Sequence, residues 1–350
     1  METHVTVPGH IPDATADAVD DQAGYQLTTR QGWRHFTAEL PTPPALLSED
    51  EYERLDRFQQ QVYDEDRLDH HARLRVVATS TVRHTVTCGR RLVLLNKHAI
   101  SARRGLIVSG PAGTGKTIAI TQLGRAHELL DQARHPHATN RIPVLYITVP
   151  PAATARMVAA EFARFLGLPV RRSSNITDLM EAVVGVCTDT HTGLVLVDEL
   201  HNISLTSRNG AEVADTLKYF SERIPATFIY AGIDIEHSNL LSGTRGQQIA
   251  GRFTLIPTAP FPYNTEWKGL VATLESTLLL HRHKPGTLTR LDRYLHERTG
   301  GMIGALSHAI RGAALDAILT RTETITKKSL AAIPLDHAAQ SLAPATGARR

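Results

Sequence analysis

Residues 110–117 have the spacing G-x-x-x-x-G-K-[ST], which is typical of a loop that binds phosphate groups. The apolar run Gly105–Ser109 precedes this loop and predicts a buried strand, and residues 118–123 predict the start of a helix. Glycines allow the backbone to approach phosphates closely, and the helix N-terminus adds a partial positive charge. In this context Lys116 can reach the β- and γ-phosphates of a nucleotide, and the Thr117 hydroxyl can hold Mg²⁺. A chance glycine-rich turn is the alternative, and the flanking strand and helix argue against it.

A second apolar run, residues 193–198, ends in the carboxylates of Asp198 and Glu199. Asp198 would hold Mg²⁺ directly or through water, and Glu199 would polarise an attacking water molecule as a general base. Alternatively, the strand simply ends in a solvated Asp-Glu turn. The phosphate loop upstream, on the same predicted sheet, favours the functional interpretation. The predicted contacts with the nucleotide and its ion are Gly110, Pro111, Ala112, Gly113, Thr114, Gly115, Lys116, Thr117, Ile118 and Asp198.

Three further polar residues are candidates for the γ-phosphate end of the site. Asp234 follows the predicted strand 226–232 and could sense the γ-phosphate or its water. Arg245 and Arg252 lie in the polar segment that follows. An arginine that reaches the γ-phosphate of a neighbouring subunit stabilises charge in the transition state, and either arginine could do this. Each could equally make a local salt bridge at the surface.

Short apolar strands alternate with helices through the middle of the chain, which predicts a parallel sheet flanked by helices. The predicted strands are 105–109, 143–149, 193–198 and 226–232, and the helices between them are 116–131, 152–167, 176–190 and 211–223. After Pro262 the pattern becomes wholly helical, with predicted helices at 266–282, 289–299, 302–319 and 327–332. This change predicts a small all-helical C-terminal domain.

The N-terminal part differs from the rest in composition. Residues 1–48 are polar and acidic with several prolines, which predicts a flexible arm. Within it, residues 33–36 read Trp-Arg-His-Phe, which either anchors a partner or packs on the protein's own body. Ser48 and Glu51 form a capping-box pattern that predicts a helix start and opens a helical extension. The predicted division is 1–48 arm, 49–98 helical extension, 99–260 nucleotide-binding domain, 261–335 helical lid and 336–350 flexible tail.

Charge is distributed unevenly along the 350 residues. Residues 1–70 carry 5 Lys and Arg against 15 Asp and Glu, whereas residues 71–350 carry 33 against 20. A basic body suits contact with a polyanion such as DNA, although it also fits an ordinary solvated surface. Two distant cysteines, no long apolar run and no signal-peptide pattern predict a cytoplasmic protein that does not contact a membrane.

Several blocks of sequence together are similar to one known family. They include Val-Asp-Glu-Leu-His-Asn-Ile at 197–203, Leu-Lys-Tyr-Phe-Ser-Glu-Arg-Ile-Pro at 217–225, Gln-Ile-Ala-Gly-Arg-Phe at 248–253 and Gly-Gly-Met-Ile-Gly-Ala-Leu at 300–306. With the phosphate loop, they make residues 65–335 resemble the AAA+ ATPases, and within them the TniB/TnsC-type ATPases of DNA transposition.

The resemblance implies an α/β fold of the P-loop NTPase (AAA+) type, with a helical lid and a helical N-terminal extension. It also implies an ATP-hydrolysing switch with Mg²⁺, which assembles on double-stranded DNA as a ring or filament and links a target-selection protein to a transposase. Two departures are the strand end 232–234 and the absence of arginine from 300–306, for which Arg311 is a possible substitute. The alternatives are another AAA+, signalling or helicase-loader ATPase that acts through protein partners, and a nucleotide-binding scaffold with little turnover.

Overall fold

A five-stranded parallel sheet forms the centre of the protein. The computed structural model describes residues 26–39, 42–171, 175–203, 208–237 and 251–335. The strands are β1 (Gly105–Ser109), β2 (Val144–Thr148), β3 (Leu194–Asp198), β4 (Thr227–Gly232) and β5 (Phe253–Pro257). Their order in the sheet is β2-β3-β4-β1-β5, and each neighbouring pair is parallel. Every residue of β1, β3 and β4 is buried, as expected for a parallel sheet covered by helices.

Helices precede, flank and follow this sheet. Within the described residues they are α1 (Arg30–Ala38), α2 (Glu49–Glu53), α3 (Arg57–Ala72), α4 (Ser80–Asn96), α5 (Lys116–Arg134), α6 (Ala155–Phe165), α7 (Ile176–Asp189), α8 (Arg208–Arg223), α9 (Thr265–Glu275), α10 (Thr287–Arg290), α11 (Asp292–Thr299), α12 (Ile303–Leu319) and α13 (Lys327–Ala332). Helix α5 contacts β1 to β4 and packs against α4, while α6 packs against β2, α7 and α8. The predicted fold class, a parallel α/β sheet flanked by helices with further helical parts, is confirmed.

The four predicted strands lie within one residue of β1 to β4, but β5 was not predicted. In β5, Ile256 is buried while Thr254, Leu255 and Pro257 are exposed. Strand β5 reads Phe-Thr-Leu-Ile-Pro and lacks the continuous apolar run that identifies the inner strands and β2, the other edge strand. It extends the sheet beyond β1, and Gly105 pairs with Phe253 at its start.

Part of the predicted flexible arm is helical and packed. Trp33 in α1 is 2% exposed and stacks on Tyr146 of β2, with ring centroids 5.8 Å apart. A side chain at Gly124 of α5 would collide with the Trp33 ring, since its Cβ would lie 2.6 Å from Cη2. The Trp-Arg-His-Phe segment therefore packs on the protein's own body, which is one of the two alternatives considered from the sequence.

The predicted helical extension is interrupted twice, between α2 and α3 and between α3 and α4. Ser48 and Glu51 form the predicted capping box at the start of α2. Not every apolar side chain of the extension is buried, since Phe58 of α3 is 75% exposed. Residues 73–79 leave the helix between α3 and α4, although continuous helical spacing was predicted there. The Thr79 hydroxyl then accepts a hydrogen bond from the Val82 backbone N–H and starts α4.

Helices α9 to α13 enclose a hydrophobic cluster separate from the one around the sheet. Trp267, Leu288 and Leu295 are fully buried in it. Helix α3 lies against this helical unit, where the His71 side chain accepts a hydrogen bond from the Leu279 backbone N–H at 3.2 Å. In the part of the chain that the structure describes, no single helix has the length and apolar character to cross a membrane. Helices α11 and α12, taken together as a bent pair, are long and apolar enough for a membrane span by length and composition alone.

Candidate nucleotide site

Residues 110–117 form a tight loop between β1 and α5. Gly110, Gly113 and Gly115 have φ angles of 146°, 75° and 88°, which favour glycine. A Cβ on Gly110 would lie 2.0 Å from the Thr258 carbonyl oxygen, whereas one on Gly113 would meet nothing within 4 Å. The loop is therefore held closely on one side and open on the other. Open backbone that leads into a helix N-terminus fits an anionic phosphate group.

Lys116 is the first residue of α5 and is 9% exposed. Its ammonium donates hydrogen bonds to the carbonyl oxygens of Gly110 at 2.8 Å and Pro111 at 2.6 Å. Burial lowers the pKa of Lys116, and the nearby carboxylates, with Asp198 the strongest among them, work in the opposite direction. The charge is thus held at the loop itself, where phosphate oxygens can replace the two carbonyls as its partners.

Asp198 and Glu199 differ sharply in their environments. Asp198, the last residue of β3, is 3% exposed and accepts hydrogen bonds from the Tyr146 hydroxyl at 3.1 Å and the Glu199 backbone N–H at 2.8 Å. Burial, followed by the charge of Asp198, raises the pKa of Tyr146, so its hydroxyl remains a donor. A buried, oriented carboxylate of this kind suits a cation ligand, with the Thr117 hydroxyl of the loop as its expected companion.

Glu199 has a φ of 57°, a conformation that costs a residue with a side chain about 1–2 kcal/mol. Its side chain is 43% exposed and lies 3.2 Å from His201, measured from Oε2 to Nε2. The strained turn directs the backbone away from the sheet directly after Asp198. As a result, one carboxylate is buried for an ion and the next is accessible to water.

A cavity of about 300 Å³ connects the loop with residues distant in the sequence. Its lining includes loop residues 112–118 and Glu199, the start of α12 at Ile303 and Gly304, and residues 74–77 before α4. The Gly304 backbone N–H donates a hydrogen bond to the Gly113 carbonyl at 3.1 Å, so the helical unit closes directly on the loop. The apolar side chains of Leu74, Val76 and Val77 offer a surface for a nucleobase.

Sequence reasoning missed this apolar part of the cavity. The signal was the run Leu74-Arg75-Val76-Val77, in which two adjacent β-branched residues weaken helical propensity just before the cap at Thr79. The contribution of Ile303 and Gly304 depends on the docking of α12 and leaves no local sequence signal.

Comparison with known families shows the family of this chain. Residues 70–263, more than half of the chain, match the family described as "Bacterial TniB protein". The chain belongs to the TniB family. The matched region contains the loop, the Asp-Glu pair and β1 to β5, whereas helices α9 to α13 lie beyond it. No curated protein matches the chain.

The TniB-family chain shares its fold with solved structures of ORC proteins. The Aeropyrum pernix ORC2 protein in its ADP form aligns with a TM-score of 0.58 and 17% identity, over 75% of this chain and 70% of that one. The Aeropyrum pernix ORC1 protein in complex with DNA gives 0.55 and 12%, over 74% and 64%. Drosophila ORC bound to DNA gives 0.51 and 15%, over 86% and 72%. These likenesses support the P-loop AAA+ fold, and the chain spans under two thirds of the ORC1 protein.

Arg252 of this TniB-family chain lies outside the cavity of its own phosphate loop. It directly precedes β5, and its Nη1 lies 3.5 Å from Oε1 of Glu222 in α8. The two side chains are 38% and 47% exposed, so this ion pair is weak and easily exchanged. Arg252 borders a separate groove of about 260 Å³ with Phe253 and Lys218. Both sequence interpretations, a local ion pair and a contact with a neighbouring subunit, remain compatible with this position. Arg245 lies outside the described residues.

The end of β4 folds back onto β1. The Ser109 hydroxyl donates a hydrogen bond to the Glu236 carboxylate and accepts one from the Ile235 backbone N–H at 2.7 Å. Asp234 has a φ of 43° and is close enough to influence the pKa of Lys116. Its role as a γ-phosphate sensor stays a prediction.

Arg311 does not substitute for the missing lid arginine in this structure. Its guanidinium donates to the carbonyl oxygens of His71, at 3.0 Å, and Ala72 at the end of α3. The residue does not border the nucleotide cavity. The sequence proposal was wrong because the C-terminal carbonyls of α3, which lack partners within their own helix, take this arginine.

Proposed function

We propose that this chain is an AAA+ switch that binds and hydrolyses ATP with Mg²⁺, assembles on double-stranded DNA and links target selection to a transposase. The observation that carries the ATPase part is the convergence of the phosphate loop, Lys116 and Glu199 on one cavity beside the buried Asp198. Two separate hydrophobic clusters support a division into an ATPase core, residues 99–260, and a helical lid, residues 261–335.

Each side chain has one task in the proposed reaction. Lys116 binds phosphate oxygens, and Thr117 and Asp198 hold Mg²⁺, which would neutralise charge that develops on the phosphates. Glu199 orients water and accepts one of its protons as the water oxygen bonds to the γ-phosphorus. The bond from that phosphorus to the β–γ bridging oxygen breaks, which gives ADP and inorganic phosphate. Glu199 then returns the proton to solvent.

Three observations support action on DNA. The chain belongs to the TniB family, and two proteins of similar fold were solved with DNA. Residues 71–350 carry 13 more Lys and Arg than Asp and Glu, which favours contact with phosphates regardless of sequence. A ring or filament of identical chains would place Arg252, on the exposed edge beside β5, where it can reach a neighbour's nucleotide.

The test measures ATP hydrolysis by the full chain with and without double-stranded DNA over a range of salt concentrations. We expect stimulation by DNA that fades as salt rises, because phosphate contacts release counterions. ATP binding and turnover that ignore DNA would replace the DNA-dependent switch with one operated by protein partners. Binding without turnover under either condition would instead support a scaffold.

Matched variants separate the ATP site from general damage. Lys116→Ala should abolish ATP binding, and Lys97→Ala, an exposed lysine outside the cavity, should not. Glu199→Gln should retain binding, lose turnover and stabilise the ATP-bound assembly, whereas Glu181→Gln on the exposed side of α7 should behave as wild type. Full turnover in Glu199→Gln would refute the assignment of the general base.

A further inference from the structure

His201 connects two parts of the site. It lies in the short turn Leu200–Asn202 that follows β3. Its Nε2 is 3.2 Å from Oε2 of Glu199, and its Nδ1 is 3.3 Å from the backbone nitrogen of Ile233, just after β4. A backbone N–H can only donate, so Nδ1 is the acceptor, and the proton of the neutral ring lies on Nε2. The protonated Nε2 therefore faces the Glu199 carboxylate at 3.2 Å.

The scaffold fixes the position of this ring. Leu200 is 1% exposed in the core, and the Asn202 side-chain amide donates to the Val149 carbonyl at 2.8 Å. A Cβ on Gly232 would lie only 3.0 Å from the His201 backbone nitrogen. Glycine at the end of β4 thus allows the turn to approach closely enough for the ring to reach Ile233.

The contact with His201 restricts the orientation of the Glu199 carboxylate. Its side chain is 43% exposed, and a long exposed carboxylate samples many rotamers. Within the described residues, His201 is the side chain whose nitrogen lies within 4 Å of its carboxylate. The contact is with Oε2, so a water molecule would bind at Oε1.

We propose that His201 is a positioning residue for ATP hydrolysis. It holds the Glu199 carboxylate in one orientation and ties it to the end of β4, so that the general base and the strand end that faces the γ-phosphate move together. This inference rests on the proposed ATPase function. His201 does not itself exchange a proton with the reacting water; it retains the proton on Nε2 throughout.

Three variants of the full chain test the proposal. His201→Gln places an amide N–H donor where Nε2 stands, His201→Asn places its amide at the Nδ1 position, and His201→Ala removes both. We expect kcat to fall by about tenfold or more in His201→Ala and His201→Asn, with His201→Gln several-fold more active than either. The dissociation constant for ATP should stay within about twofold of wild type, because base positioning contributes to the transition state rather than to binding. In a Glu199→Gln background, His201→Ala should have no further effect.

An unchanged kcat in His201→Ala would overturn the inference, and so would equal activities of the Gln and Asn variants. Turnover that falls only in parallel with ATP affinity would also refute it, since that pattern indicates a structural role. If wild type does not hydrolyse ATP, the proposed function fails separately. The contact can then be judged from the imidazole ¹⁵N resonances, in which Glu199→Gln should shift Nε2 of His201, and an unshifted resonance would refute the contact.

Discussion

Arg67 and Arg282 both join the N-terminal helices to the helical lid, and we expect very different costs when each is removed. Arg67 of α3 is completely buried and makes a two-point contact with Glu323, at 2.8 and 3.0 Å. It also contacts Asp64 at 2.5 Å. Arg282 contacts Glu49 at 2.6 Å, but their side chains are 63% and 47% exposed. Comparing Arg67 with Arg282 therefore tests the effect of burial on two arginine–carboxylate contacts of nearly the same chemistry.

The expected magnitudes follow from solvent access. Burial, the largest influence, works to lower the pKa of Arg67, but the hydrogen bonds with Glu323 and Asp64 more than offset it and raise the pKa. Arg67→Ala leaves two carboxylates facing an uncharged pocket, which typically costs about 3–5 kcal/mol. Arg282→Ala breaks an exposed pair worth about 0–1 kcal/mol.

Urea unfolding followed by tryptophan fluorescence measures both costs, because Trp267 is buried in the lid cluster and Trp33 in the cluster around the sheet. Arg67→Lys retains the charge but loses the two-point geometry, so its free energy of unfolding should lie between those of wild type and Arg67→Ala. If Arg67→Ala and Arg282→Ala cost the same, within about 1 kcal/mol, the reasoning that α3 is held to the lid by a buried ion pair is wrong.

Three further predictions concern the shared site, pH and the lid. Mixing Arg252→Ala with Lys116→Ala subunits should restore part of the ATP hydrolysis that each lacks alone, and two fully active single variants would contradict a shared site. Burial lowers the pKa of His71 to about 4. The unfolded chain therefore binds this proton first, and stability should fall by about 3 kcal/mol as pH drops from about 6.5 to 4; the same slope in a His71→Gln variant would contradict this. Gly304→Val should weaken ATP binding, because its Cβ would lie 3.3 Å from the loop carbonyl of Gly113, whereas Gly269→Ala, which meets nothing within 4 Å, should not. Equal affinities in these two variants would contradict the lid contact.

Local patterns explain what could be predicted from the sequence. The phosphate loop depends on glycine spacing over eight residues, and β1, β3 and β4 are continuous apolar runs because both faces of the sheet are covered. The structure places Asp198 and Glu199 at the strand end expected for them. Their catalytic and metal-binding roles stay predictions.

The features that were missed depend on contacts between distant residues. Strand β5 is defined by its pairing with β1 and has only partial burial to mark it. Arg311 was proposed as the substitute for the arginine absent from residues 300–306, but the carbonyls of α3, some 240 residues earlier in the chain, determine its position. Trp33 could not be assigned between two roles because the space for its ring is created by Gly124, on another helix.

The arrangement of α3 and α4 explains how the ATP site and the lid can be coupled. Helix α3 is held to the lid by Arg67 and His71, whereas α4 packs against α5 of the ATPase core. Residues 73–79 connect the two helices, and residues 74–77 and 79 among them line the nucleotide cavity. Any rotation of the lid that carries α3 with it must change the course of this connection, since its other end is fixed by α4. A nucleotide that contacts both the connection and the phosphate loop would therefore favour one lid position, and hydrolysis would release that preference without any change within either hydrophobic cluster.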